Sequence, residues 1–195
     1  TATWDGDTDT NWQEADNWDP DLGSDGNPPS GIGDSNVFPS TLTANQPELF
    51  GNAAGAGLWF QRAGWTIGEN GGAWTMAVRR ATVDGTGNAT VVSQGTGVSR
   101  FEPNFNNPNT STIRVDAGNT FEIAGDISGN TLTFLGDGTT RLEGDNSGWA
   151  GGATLEDGST IQLTADDQLG TNPTQANAAT IDIDNPAGVT LGNEI

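Results

Sequence analysis

The chain has 195 residues, 32% of them hydrophobic and 29 of them glycine, too lean a supply for one round core but enough for a solenoid whose coils each bury a thin line of side chains. Six arginines face 26 acidic residues, for a formal charge of −20. Nucleic acid and anionic membranes, which are gripped through Lys and Arg clusters, are therefore poor partners. Cysteine, histidine, lysine and tyrosine are absent, which removes disulfides, thiolate zinc sites, the commonest general base and any Lys–Asn cross-link.

Residues 1–50 stand apart from the rest. They hold Trp4, Trp12 and Trp18, five of the nine prolines and the loop Asp19-Pro-Asp-Leu-Gly-Ser-Asp-Gly-Asn-Pro-Pro-Ser-Gly31, a density of Pro and Gly that marks turns and irregular chain. We expect a cap or joining region here, with coils over 51–195. The opening Thr1-Ala-Thr-Trp4 reads as a mature start after a small-residue cleavage site, so export is expected. No apolar stretch approaches the roughly 20 residues needed to span a bilayer. Within the cap, Asp5, Asp7, Asp9 and Asn11 place oxygens at alternate positions as a calcium loop does, with Asp16 where such a loop closes on Glu. Thr10 stands where that loop needs glycine, and a solvated acidic turn explains the string as well.

Leu58-Trp-Phe60, Trp65-Thr-Ile67 and Ala73-Trp-Thr-Met-Ala-Val78 alternate apolar and polar as strands do. From about residue 82 the strands become regular. Ile113/Val115, Phe121/Ile123, Leu132/Phe134, Leu142, Leu155, Ile161/Leu163, Ile181/Ile183 and Val189/Leu191 are the predicted inward residues, two apart within each pair. Ile161/Leu163 recur at Ile181/Ile183, and Ile113/Val115 at Leu132/Phe134, an echo near 20 residues that corresponds to one coil of a parallel β-helix. An antiparallel β-sandwich also shows strands every 8 to 12 residues and is the alternative, but Asn-Gly and Asp-Gly hairpin turns are few.

The run Thr131-Leu-Thr-Phe-Leu-Gly-Asp-Gly-Thr-Thr-Arg-Leu-Glu-Gly-Asp-Asn-Ser-Gly-Trp149, continuing through Ala153-Thr-Leu155 and Ile161-Gln-Leu163 to Ala165-Asp-Asp-Gln-Leu-Gly170, resembles the autotransporter-associated β-strand repeat. Trp4-Asp-Gly, Asn11-Trp12 and Asn17-Trp18 resemble the start of large secreted bacterial proteins carrying such repeats. The clearest repeat covers 125–170. The resemblance implies an all-β, right-handed parallel β-helix, export, and an extracellular or cell-surface role as a structural or adhesive protein. It carries over no catalytic residues. The chain departs from the family's pattern in ending at Ile195 in mid-pattern, with no outer-membrane barrel.

Several residues invite a sharper reading. Asp166-Asp167, with Asp182 and Asp184 one coil later, would form a second acidic ledge, against a default of surface charge. Trp59, Trp65 and Trp74 read as packing residues. Trp4, Trp12, Trp18 and Trp149 sit in turns, where they either plug a thin solenoid or offer flat faces to sugars. Asn146 reads as part of an internal ladder satisfying backbone groups at a coil corner. Gly188-Val-Thr-Leu-Gly-Asn-Glu-Ile195 still reads as strand, so the last coil is expected to meet further repeats of the same polypeptide or another copy head to tail. A glycan- or calcium-binding module is the rival. A polysaccharide-degrading enzyme ranks below both, since no carboxylate pair is singled out by spacing and the arginines at 62, 79, 80, 100, 114 and 141 are dispersed.

Overall fold

The computed structural model describes residues 2–19, 35–79, 89–156 and 158–191. Most of the expected loop 19–31 and the end of the expected last strand, 192–195, lie outside the described residues. The chain opens with β1 (Ala2–Trp4), a 3-10 helix (Ala15–Asn17) and β2 (Trp18–Asp19). Four three-strand coils follow: β3 (Ser35–Phe38), β4 (Glu48–Leu49) and β5 (Ala53–Gly55); β6 (Gly57–Phe60), β7 (Thr66–Glu69) and β8 (Thr75–Val78); β9 (Val91–Ser93), β10 (Gly97–Phe101) and β11 (Asn104–Asn107); β12 (Ser111–Val115), β13 (Asn119–Ile123) and β14 (Ile127–Gly129). The fifth and sixth coils keep two strands each, β15 (Leu132–Leu135) with β16 (Thr139–Leu142), and β17 (Ala153–Leu155) with β18 (Thr160–Leu163). A seventh begins with β19 (Gln175–Ala176) and β20 (Thr180–Ile183).

The strands stack into sheets of nine, seven and four, parallel throughout except where β2 turns back on β1. This is a parallel β-helix of about six turns, and the antiparallel sandwich is set aside. The predicted echo is seen directly in the second sheet, where Ile161 pairs with Ile181 and Leu163 with Ile183. In the first sheet the register runs two residues further than expected. Ile113 pairs with Phe134, and Ser111 with Leu132. A slip of two keeps the same residues on the same face, so the inward set survives it.

Inward columns make the core. Leu58, Val91, Ile113, Phe134 and Leu155 stack in the first sheet, and Ile67, Phe101, Ile123, Leu142 and Leu163 in the second, all fully buried. Met76, Phe105 and Ile127 form the third wall. Each side chain meets its counterpart one rung, about 4.8 Å, above and below. Where neighbouring coils pass very close, glycine is required. A Cβ at Gly125 would strike the Pro103 carbonyl, and one at Gly144 the Gly125 carbonyl.

The N-terminal end is sealed. β1 pairs in parallel with β3, Asn11 bridges to Glu48 over β4, and β2 lies antiparallel outside β1. Beneath them Trp4, Trp12 and Trp18 pack with centroids 4.7–6.5 Å apart, Trp18 edge-on to the other two, and Phe38 continues the aromatic line to Phe60 at 4.6 Å. The coil stack itself begins at Ser35, inside the 1–50 stretch. At the other end burial fades. Ile181, Val189 and Leu191 are partly buried, and Ile183 is 46% exposed where Leu142 and Leu163 beneath it are fully covered.

Candidate functional site

The N-terminal acidic turn is organised by Asn17 of the Asn17-Trp18 doublet, which was not among the expected calcium ligands. Buried Asn17 accepts from the backbone N–H of Thr8 (2.9 Å) and Asp9 (3.0 Å), and donates to Asp9 Oδ1 (2.7 Å) and the Asn11 carbonyl (3.1 Å). Asp9 also accepts from the Asn11 N–H at 2.8 Å, and Asp5 from the Asp7 N–H at 3.3 Å. These carboxylates are closing turns. Asp5 feels Asp7 and Asp19 as neighbouring charges, while Asp16 sits exposed on the 3-10 helix. Burial, reinforced by those two charges, holds the Asp5 carboxyl above its ordinary value against the opposing Asp7 N–H. Among the described residues no group of three or more His, Cys, Asp or Glu side chains is placed to hold a metal ion. The doublets Asn11-Trp12 and Asn17-Trp18 were the signal for Asn17, since each tryptophan plugs the core and each asparagine binds the turn beside it.

The second acidic group is divided between two places. Asp182 accepts from Gln162 Nε2 (3.0 Å) and Asp184 pairs with Arg141 Nη1 (3.0 Å) on the outer face of the second sheet. Asp166 instead takes the Thr190 N–H at 2.6 Å, and Asp167, at φ 55°, donates its N–H to the Thr190 carbonyl. Asp166 lines a shallow open groove of about 450 Å³ with Asn185 and Thr190.

The outer face of the second sheet carries an ionic column that sequence spacing did not expose. Arg100, Glu122, Arg141, Gln162 and Asp182 lie in register on successive rungs. Arg100 reaches Glu102, Glu122 and Glu143, and Arg141 reaches Glu143 and Asp184. Burial alone would lower the Arg100 guanidinium, but its hydrogen bonds to Glu122 and Glu143 hold it above the ordinary value.

Trp4, Trp12, Trp18 and Trp149 are all at most 4% exposed, so the flat-face reading is replaced by packing. The Trp149 indole donates to the Asn130 carbonyl at 3.1 Å and fills the fifth coil where the third sheet stops. Of the tryptophans read as core, only Trp65 is fully buried. Trp59 lies on the outer face against Ala89 and Val92, its indole N–H on Gln94 Oε1. Trp74 is half-buried on a coil corner. Asn146 performs its expected role, with Oδ1 accepting from the Ile127 N–H (2.6 Å) and Nδ2 donating to the Gln168 carbonyl (3.0 Å), stitching the fourth, fifth and sixth coils.

Stacked coils with a sealed end and laced outer face define the class, a β-solenoid whose construction is consistent with a structural repeat protein. Comparison with protein-family models, with characterised proteins and with solved structures finds no match.

Proposed function

We propose that this chain is a structural and adhesive rod segment of a secreted, cell-surface protein related to the autotransporter-associated repeat. The observation that carries the reading is the unbroken inward columns from Leu58 to Leu155 and from Ile67 to Leu163, laced outside by the Arg100–Asp182 column. Stability of this kind is carried along an axis, rung by rung. The high negative charge keeps such a rod soluble and apart from anionic surfaces.

Exposed Ile183 supports a further coil on that edge, from the same polypeptide or from another copy. Head-to-tail copies would have to displace the Trp4–Trp12–Trp18 seal and bring Asp182 and Asp184 towards the acidic turn at Asp5 and Asp9, which favours the same polypeptide as the neighbour. Negative-stain electron microscopy and light scattering of the purified chain, with and without calcium, test this. Monodisperse short particles in both conditions are expected. Regular filaments would establish assembly between copies, and filaments in calcium alone would assign the joint to the acidic turn.

A further inference from the structure

Thirteen of the fourteen aromatic side chains are buried or partly buried, and the exception is Phe50, 46% exposed. Only Trp59 and Trp74 join it in escaping full burial, and Trp59 is accounted for by its packing on Val92 and Ala89. Phe50 and Trp74 share one corner of the helix, between the second and third sheets, in the first and second coils. The two turns are stitched together. Asn70 N–H donates to the Leu49 carbonyl (2.9 Å) and Thr75 N–H to Asn52 Oδ1 (2.9 Å).

The turn carrying Trp74 is built outward. It runs over five residues, 70–74, where the first coil uses three (50–52) and the third two (102–103). The extra chain is Gly71-Gly72-Ala73. The indole is fixed by Nε1 donating to the Asn70 carbonyl (3.1 Å), and the backbone N–H by Glu69 Oε1 (2.7 Å). Gly72 backs the ring, since a Cβ there would stand 3.1 Å from Cζ2. The result is a half-buried indole held before any ligand arrives, beside Glu69 and Asn70, with Asn70 Nδ2 on Glu48 Oε2 and Asn52 Oδ1 on the Thr75 N–H. Preorganisation of this kind reduces the entropy lost on binding.

We infer that the Phe50–Trp74 corner binds a neutral polysaccharide. The C–H face of a pyranose is apolar and slightly positive and suits the negative face of an indole. Its hydroxyls suit planar carboxylate and amide acceptors and donors. The charge of −20 repels anionic glycans, which selects neutral chains. The inference gives the adhesive part of the proposed function a site and rests on it, whereas the rod is tested separately by microscopy.

The test is affinity gel electrophoresis of the full chain through hydroxyethyl cellulose, laminarin and, as an anionic control, alginate. Retardation by at least one neutral glucan and none by alginate is expected. Trp74→Ala should weaken retardation at least 10-fold, Phe50→Ala less, and Trp74→Phe should restore part of it, with circular dichroism unchanged in all three. Unretarded wild-type chain in both neutral glucans would overturn the inference, as would equal retardation of Trp74→Ala. Retardation by alginate alone would overturn it too.

Discussion

Arg100 in the third coil holds Glu143 two coils away, Nη1 to Oε2 at 2.8 Å, and the same Nη1 lies 2.8 Å from Glu122 Oε2 on the rung between. One guanidinium therefore ties three rungs and separates two carboxylates that would otherwise repel. Arg100→Ala should cost about 1–2 kcal/mol, more than an isolated surface pair, because it leaves Glu122 without its arginine and Glu143 with Arg141 alone. Arg100→Lys should recover less than half, since an ammonium cannot present the planar fork to three carboxylates. Urea denaturation at low and high salt reads both, and the penalty should shrink as salt rises.

Asn146 is 1% exposed and satisfies two backbone groups on different coils. Asn146→Ala strands a buried N–H and a buried carbonyl and should cost about 2–4 kcal/mol. Asn146→Asp keeps the acceptor for Ile127 but loses the donor to Gln168 and buries a charge, so it should be no better tolerated than alanine at neutral pH. The midpoint of chemical denaturation measures the difference.

The tryptophan seal makes a different prediction. Trp12→Ala should cost about 3–5 kcal/mol through the cavity it opens beneath β1. It should also free the β3–β4 edge for pairing, so the variant should self-associate in light scattering while the wild type does not.

Asp5 supplies a pH dependence. Its folded-state value is raised by burial, so the folded chain holds that proton more tightly than the unfolded chain. Its contribution to stability is therefore gained as pH falls through the raised value and lost as pH rises. Asp5→Asn, which keeps the oxygen that accepts from Asp7, should raise Tm slightly at pH 7, with the gain fading as pH falls and the Asp5 carboxyl takes up its proton. A Tm that falls at pH 7 would contradict this.

The edge coil should be the loosest. Among the described residues β20 has a single strand neighbour, so the amides of Thr180–Ile183 should exchange with deuterium faster than those of Thr139–Leu142.

What could be read from the residues depended on regularity. Ile161/Leu163 and Ile181/Ile183 announced their own register because both strands carry the same two-apart apolar pair one coil apart. Leu58 and Val91 are neighbours although 33 residues apart, a spacing that hides one coil behind an insertion. The residues alone leave two or three strands per coil open, because β5, β8, β11 and β14 have three or four residues each, and Phe105 and Ile127 stand without a long alternation. Trp4, Trp12, Trp18 and Trp149 looked like turn residues because turns flank them. Their burial follows from the need to plug a narrow core where its sheets begin or stop, which is a property of the stack and not of any local window. Arg100 was invisible for the same reason, since Glu122 and Glu143 reach it from later coils.

Because the chain lacks cysteine, an introduced pair reports register without ambiguity. Thr139 and Thr160 are outward neighbours on adjacent parallel rungs, and Thr180 is one rung further. Thr139→Cys with Thr160→Cys should oxidise to an intramolecular disulfide, because adjacent rungs lie within the Cα separation a disulfide accepts, whereas Thr139→Cys with Thr180→Cys, two rungs apart at about 9.6 Å, should remain reduced. Rapid oxidation of the first pair alone, read by mobility shift and mass spectrometry, is the predicted result. A reduced first pair, or equal oxidation of both, would contradict the parallel stack on which the proposed function rests.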